Sequence, residues 1–179
     1  MKPLILIAFA TLCFAASEPV VSFSSLKAVE GTINDKLKSN VTDPYDLLGT
    51  ARGTYLQGYG AVFTVELDLV VGTSFYATPF RPALSEQEKK AMRDRKERKL
   101  EVLKETMREL MTSASGSLPG LPPQEHLVME AFLFNYSWEN IKGLPHRVVL
   151  TAQNGKLQEA LSRHASAAEI AALIEETEL

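Results

Sequence analysis

Leu26, Val29, Ile33 and Leu37 recur at spacings of three and four, and Lys27, Glu30, Asp35 and Lys36 fill the positions between them. That period predicts an amphipathic helix of about sixteen residues beginning near Ser24. The turn chemistry of Asn40, Thr42, Asp43 and Pro44 ends it. A different period follows. Ala61, Phe63, Val65, Leu67, Leu69 and Val71 point one way, and Thr64, Glu66 and Asp68 the other, which predicts a strand with one buried face. Arg52 to Leu56 forms its antiparallel neighbour through Gln57-Gly58-Tyr59-Gly60, and Pro79 and Pro82 close the unit.

Ser85 and Glu88 make a capping box that opens a long helix running to about Thr112. Leu100, Leu103, Met107, Leu110 and Met111 stripe its second half. Its first half carries Lys89, Lys90, Arg93, Arg95, Lys96, Arg98 and Lys99 against Asp94 and Glu97, which predicts a solvated N-terminal half with surface pairs such as Asp94 with Arg98. Residues 113–123 are rich in Gly, Ser and Pro and read as a flexible link. Val128, Phe132, Phe134, Tyr136 and Trp138 then share one side at period two. Leu127, Ala131, Phe134 and Trp138 also fit a helix, but aromatic enrichment favours the strand. Arg147 to Ala152 is a further strand and Asn154-Gly155 a turn. Lys156 to Arg163 reads as helix, and a second capping box at Ser166 and Glu169 opens a short acidic helix to the C-terminus.

Hairpins on either side of a helix give an α+β fold: an antiparallel sheet of about four strands, with the long helix and the terminal helices packed on one face. With 179 residues, 45% hydrophobic and 23% charged, the chain can bury a core as one domain over 18–179. Met1-Lys2, the apolar run Leu4 to Leu12 and the small residues Ala15, Ala16 and Ser17 read as a signal peptide over 1–17, cleaved after Ala15 or Ser17. The run is too short for a transmembrane helix, which needs about 20 residues. Leu12 before Cys13 fits lipidation poorly. Loss of Cys13 leaves a mature chain without cysteine, so disulfides, a thiol nucleophile and Cys-based metal sites drop out. This places the domain in the periplasm or outside the cell. Loss of Lys2 moves the net charge from −3 to −4, which argues against nucleic acid as a partner.

The most distinctive stretch is Tyr55-Leu56-Gln57-Gly58-Tyr59-Gly60, where glycines allow close approach and tyrosines can stack or donate hydrogen bonds. It reads either as a ligand loop or as a tight hairpin connection. It is not a phosphate loop, because no Gly-Lys-Ser/Thr follows and a strand comes next. The run Gly53-Thr54-Tyr55-Leu56-Gln57-Gly58-Tyr59-Gly60-Ala61-Val62-Phe63 resembles a motif of uncharacterised exported bacterial proteins of similar length. The resemblance implies export and no activity, substrate or catalytic residue.

His126, His146 and His164 have no helical pair spacing, although His126 with Glu125 and Glu130 could gather round a metal on folding. Glu66 and Asp68 lie on one strand face about 7 Å apart and could share acid–base work, or pair with Arg52. No nucleophile elbow is present, and Ser115-Gly116-Ser117 falls in the link. These observations favour a non-catalytic exported cell-envelope domain that binds a protein or small ligand. A hydrolase using carboxylates or a metal is the alternative. No cofactor or metal is called for. The candidate binding residues are Arg52, Tyr55, Gly58, Tyr59, Gly60 and Glu66 near the hairpin, and Lys89, Arg93 and Lys96 on the helix. The expected partner is another envelope protein. A homodimer through the long helix stays open, on a stripe shorter than two heptads.

Overall fold

The computed structural model describes residues 21–39, 42–71, 84–139 and 141–179. The expected leader and the Pro79/Pro82 closure lie outside them. In chain order the elements are α1 (Phe23–Lys38), β1 (Asp46–Leu47), β2 (Arg52–Leu56), β3 (Gly60–Asp68), α2 (Glu86–Ser117), β4 (His126–Leu133), β5 (Arg147–Gln153), α3 (Asn154–Ser162), α4 (Ala167–Ala171) and β6 (Glu175–Glu178).

The class is α+β, with one six-stranded sheet and a long helix. The expectation of an antiparallel sheet of about four strands needs correcting. β3 and β4 pair in parallel, from Gly60 opposite His126 to Leu67 opposite Leu133, because α2 carries the chain back across the sheet. Every other pairing is antiparallel. β1 and β2 share one edge of β3. Asp46 sits opposite Asp68 and Leu47 opposite Leu67, whereas Arg52 sits opposite Thr64. Residues 48–51 therefore face only Val65 and Glu66. The extra residues are a bulge that bends the edge strand away from the sheet.

β3 buries the predicted face: Ala61, Phe63 and Leu67 are fully inside and Val65 nearly so. The strand ends at Asp68, three residues short of the expected Val71, although Leu69 is still buried. Asp68 and Val70 are buried and Val71 is exposed. β4 keeps its period of two, but its core side is Leu127, Met129, Ala131 and Leu133. Phe132 and Phe134 are on the other side, 40% and 38% exposed. Apolar residues occupy both faces of this run, so alternation alone cannot say which face is inside. Opposite these side chains α2 lays Leu100, Leu103, Met107, Leu110 and Met111.

α1 starts where Ser22 Oγ accepts the Ser25 N–H, and it buries Leu26, Val29, Ile33 and Leu37. Its polar side also works. Glu30 Oε1 accepts the Gly53 N–H at 2.8 Å and Asn34 Oδ1 accepts the Ala51 N–H at 2.9 Å. The free edge of β2 is thus closed by α1 side chains rather than left open to another strand.

Three further expectations change. α2 runs to Ser117 with Ala114 and Ser115 buried, so the first part of the expected 113–123 link is helix. Asn154 opens α3 instead of making a turn, and its side chain is fully buried. Ser115 Oγ donates to Asn154 Oδ1 at 2.9 Å, and Asn154 Nδ2 donates to the Leu121 carbonyl at 2.7 Å, which ties the segment after α2 to the start of α3. The terminal acidic helix is only Ala167–Ala171, and Glu175–Glu178 becomes an edge strand.

Candidate functional site: the uncovered face of the sheet

All four helices lie on the side of the sheet that carries Phe63, Met129 and Leu150. No described element crosses the opposite side. The registers arrange that opposite face in rows. One row reads Glu66, Phe132, Arg147. The next reads Arg52, Thr64, Glu130, Val149, Thr177. A third reads Thr54, Val62, Val128, Thr151, Glu175. Most of these side chains are half-buried or exposed, and Val128 is buried among its neighbours. Glu130 is neutralised by Arg147 at 3.0 Å, and the Arg147 guanidinium sits 5.7 Å from the Phe132 ring centre.

At the bulge the face dips into an open groove of about 270 Å³, lined by Leu48, Thr50, Arg52, Thr64, Glu66 and Phe132 among others. Arg52 and Glu66 thus share one depression, and Tyr59 does not line it. Both are exposed, and among the described residues neither enters an ion pair. The expected Arg52–Glu66 bond across the hairpin does not form. The Glu66–Asp68 pairing fails as well: Asp68 is buried with Oδ1 3.0 Å from Lys96 Nζ, while Glu66 faces solvent across the sheet.

Tyr55, Gly58, Tyr59 and Gly60 form a second, separate group. Gly58 takes φ +80°, and its N–H donates to Glu125 Oε1 at 2.9 Å. Tyr55 Oη donates to the same oxygen at 3.2 Å, and burial together with that bond pushes its pKa up. Tyr59 stacks on His126 at 5.8 Å, and its carbonyl accepts the His126 N–H at 2.8 Å. Gly60 is required at φ +145°, because a Cβ there would lie 1.8 Å from the His126 carbonyl oxygen. The buried Glu125 carboxylate therefore fastens the hairpin onto the start of β4. Of the two readings of this stretch, the geometry matches the connection. Among the described residues no three His, Cys, Asp or Glu side chains gather into a metal site. Glu125 is spent on the hairpin and Glu130 on Arg147.

The basic helix segment is a third place, exposed or half-exposed except at Lys96 and Lys99, which are buried. Lys89 pairs with Glu86, Lys90 with Asp94 and Arg93 with Glu97, so Asp94 takes Lys90 rather than Arg98. Lys96 is buried. Its ammonium lies 3.0 Å from Asp68, 2.6 Å from Glu139 and 3.0 Å from Asn135 Oδ1. Burial raises the Glu139 carboxyl above its ordinary value against the pull of Lys96. Lys89, Arg93 and Lys96 do border one void with Trp138 and Glu139, but at about 10 Å³ it holds no more than a water. Lys99 is buried as well and donates to the Asp43 and Pro44 carbonyls over the Tyr45 ring. Burial lowers its pKa, with Asp43 opposing. The same burial, with Asp43 nearby, pushes Tyr45 up to about 12.

Sequence reasoning missed Phe132 as a surface residue and Asp68, Glu125 and Glu139 as buried acids. For Lys96 a signal existed: it lies four residues before Leu100 and seven before Leu103, on the extended apolar stripe. No described helix is long and apolar enough to cross a membrane. No family model, curated protein or solved structure matches this chain.

Proposed function

We propose that this chain is a non-catalytic, exported domain of the cell envelope that binds a protein through the uncovered face of its sheet. The observation that carries the reading is the groove at the bulge, where Arg52 and Glu66, which make no ion pair among the described residues, stand beside the exposed Phe132 ring. Here β3 and β4 carry Val62, Val128 and Phe132 on a side that no described element covers. The groove is shallow and smaller than most small-molecule pockets, which favours a broad partner over an enclosed ligand. The carboxylates that a hydrolase would need are each engaged or apart, so the geometry favours no catalytic reading.

A photo-crosslinking side chain placed at Phe132, and separately at Lys90 on the exposed part of α2, tests the surface in cells. Adducts from position 132 and none from 90 support the reading. Adducts from 90 alone overturn it.

A further inference from the structure

Resting on that reading of the surface, we infer that the occupant of the uncovered face is a second copy of this chain, stacked sheet on sheet about a two-fold axis that crosses the strands. The sheet edges offer no easier route. On the β2 edge the Ala51 and Gly53 N–H groups are taken by Asn34 and Glu30 of α1, and β6 is a strand of only four residues with the charged Glu175 exposed on it. The face itself is self-complementary. Glu130 and Arg147 cancel one another. Arg52 and Glu66, one of each sign, lie in neighbouring rows and make no ion pair among the described residues, although the Arg52 charge is felt at Glu30.

An axis running between those two rows lays the Arg52 row of one copy on the Glu66 row of the other. It forms the same ion pair twice, which is what an isologous contact requires. The same operation lays β4 on its own copy, so that Phe132 comes over Glu130 of the Glu130–Arg147 pair and Phe134 over Val128. With strands about 4.8 Å apart and about 3.3 Å per residue, five strands by seven residues give a face of roughly 24 by 23 Å. That is about 550 Å² per partner, or about 1,100 Å² in all, just above the ~1,000 Å² that a specific interface needs, with the exposed Leu56 and Phe134 at its rim. The stacked sheets then stand about 10 Å apart.

Sedimentation equilibrium of the purified protein tests this. The expected result is a dimer whose dissociation constant rises about ten- to a hundredfold in Arg52→Glu and in Glu66→Arg, and returns towards that of the parent protein in the double variant, where the pair is reversed. Both side chains are exposed, so thermal midpoints serve as a folding control. A monomer at every concentration overturns the inference, as does a dimer indifferent to both single changes or a double variant that stays apart. A monomer that still crosslinks from position 132 to another envelope protein sinks the self-pairing alone. Loss of crosslinking from 132 sinks the surface itself.

Discussion

Replacing Lys96 with Met tests how the long helix holds the fold. Met keeps most of the apolar stem and removes only the charge and its hydrogen bonds. In the parent protein the ammonium is 2% exposed and lies between Asp68, also 2% exposed, and Glu139, 5% exposed. Without it, two carboxylates face each other in a dry site. Breaking a buried pair from one side costs about 3–5 kcal/mol, because the remaining charge has no partner. For a domain of this size that lowers the melting midpoint by roughly 6–20 °C, at 2–4 °C per kcal/mol. Urea titration at neutral pH measures the loss as a lower midpoint with an unchanged slope. The deficit shrinks in acid, where Glu139 takes a proton, and it largely disappears in the triple variant Lys96→Met, Asp68→Asn, Glu139→Gln, because neutral groups carry no desolvation debt. High salt changes it little, since buried charges are poorly screened. A loss below about 1 kcal/mol at neutral pH means the triad behaves like a surface pair, and the argument fails.

The remaining predictions concern other joints. Glu139 has a raised pKa in the folded state, so its protonated form contributes stability below the ordinary value of 4.5, and that contribution is lost as pH rises through the folded value; Glu139→Gln therefore flattens the decline of the thermal midpoint above that pH, and an unchanged profile rules the cause out. Gly60→Ala drives a methyl group into the His126 carbonyl and destabilises the protein by about 3 kcal/mol or more, read by urea titration. Lys104 touches Glu101, Glu176 and Glu178, and its pKa is raised because those three carboxylates outweigh its burial. Lys104→Met loosens β6 by about 1–2 kcal/mol, seen as roughly five- to thirtyfold faster hydrogen exchange of β6 amides while β3 amides stay protected.

Part of this was legible before any coordinates. The period of α1, the buried face of β3 from Ala61 to Leu67, the hairpin at Gly58 and both capping boxes follow from local chemistry, and local chemistry is what a sequence displays. β6 was not legible. Glu175-Glu176-Thr177-Glu178 has no alternation and no apolar residue, and it becomes a strand because Lys104 and Arg108 on α2 hold Glu176 and Glu178 against β5. Burial alone would raise the Glu176 pKa, but those two cations hold it below its ordinary value. The lysines of α2 misled for a related reason. A positive run looks solvated until folding delivers Asp43, Asp68, Glu139 and Glu178 from four distant stretches to the buried side of the same helix.

The candidate surface was illegible for a topological reason. Two hairpins joined by a helix allow either sense of pairing between them, and the antiparallel expectation made β4 a continuation of an ordinary meander. Parallel pairing of β3 with β4 changes what must cover the sheet. The connection between them has to cross from one end of the strands to the other, and α2 does so on a single side. The segments after β5 stay on that side too, since α3 is tied to α2 through Asn154 and Ser115. A doubly wound sheet would have sent a second crossover over Val62, Val128 and Phe132. No described part of this chain does, and the face, although polar at most of its positions, keeps Val62, Val128, Val149 and Phe132 among Arg52, Glu66 and the Glu130–Arg147 pair. On the function proposed above, these apolar side chains, beside two charges that make no ion pair among the described residues, supply the contact surface.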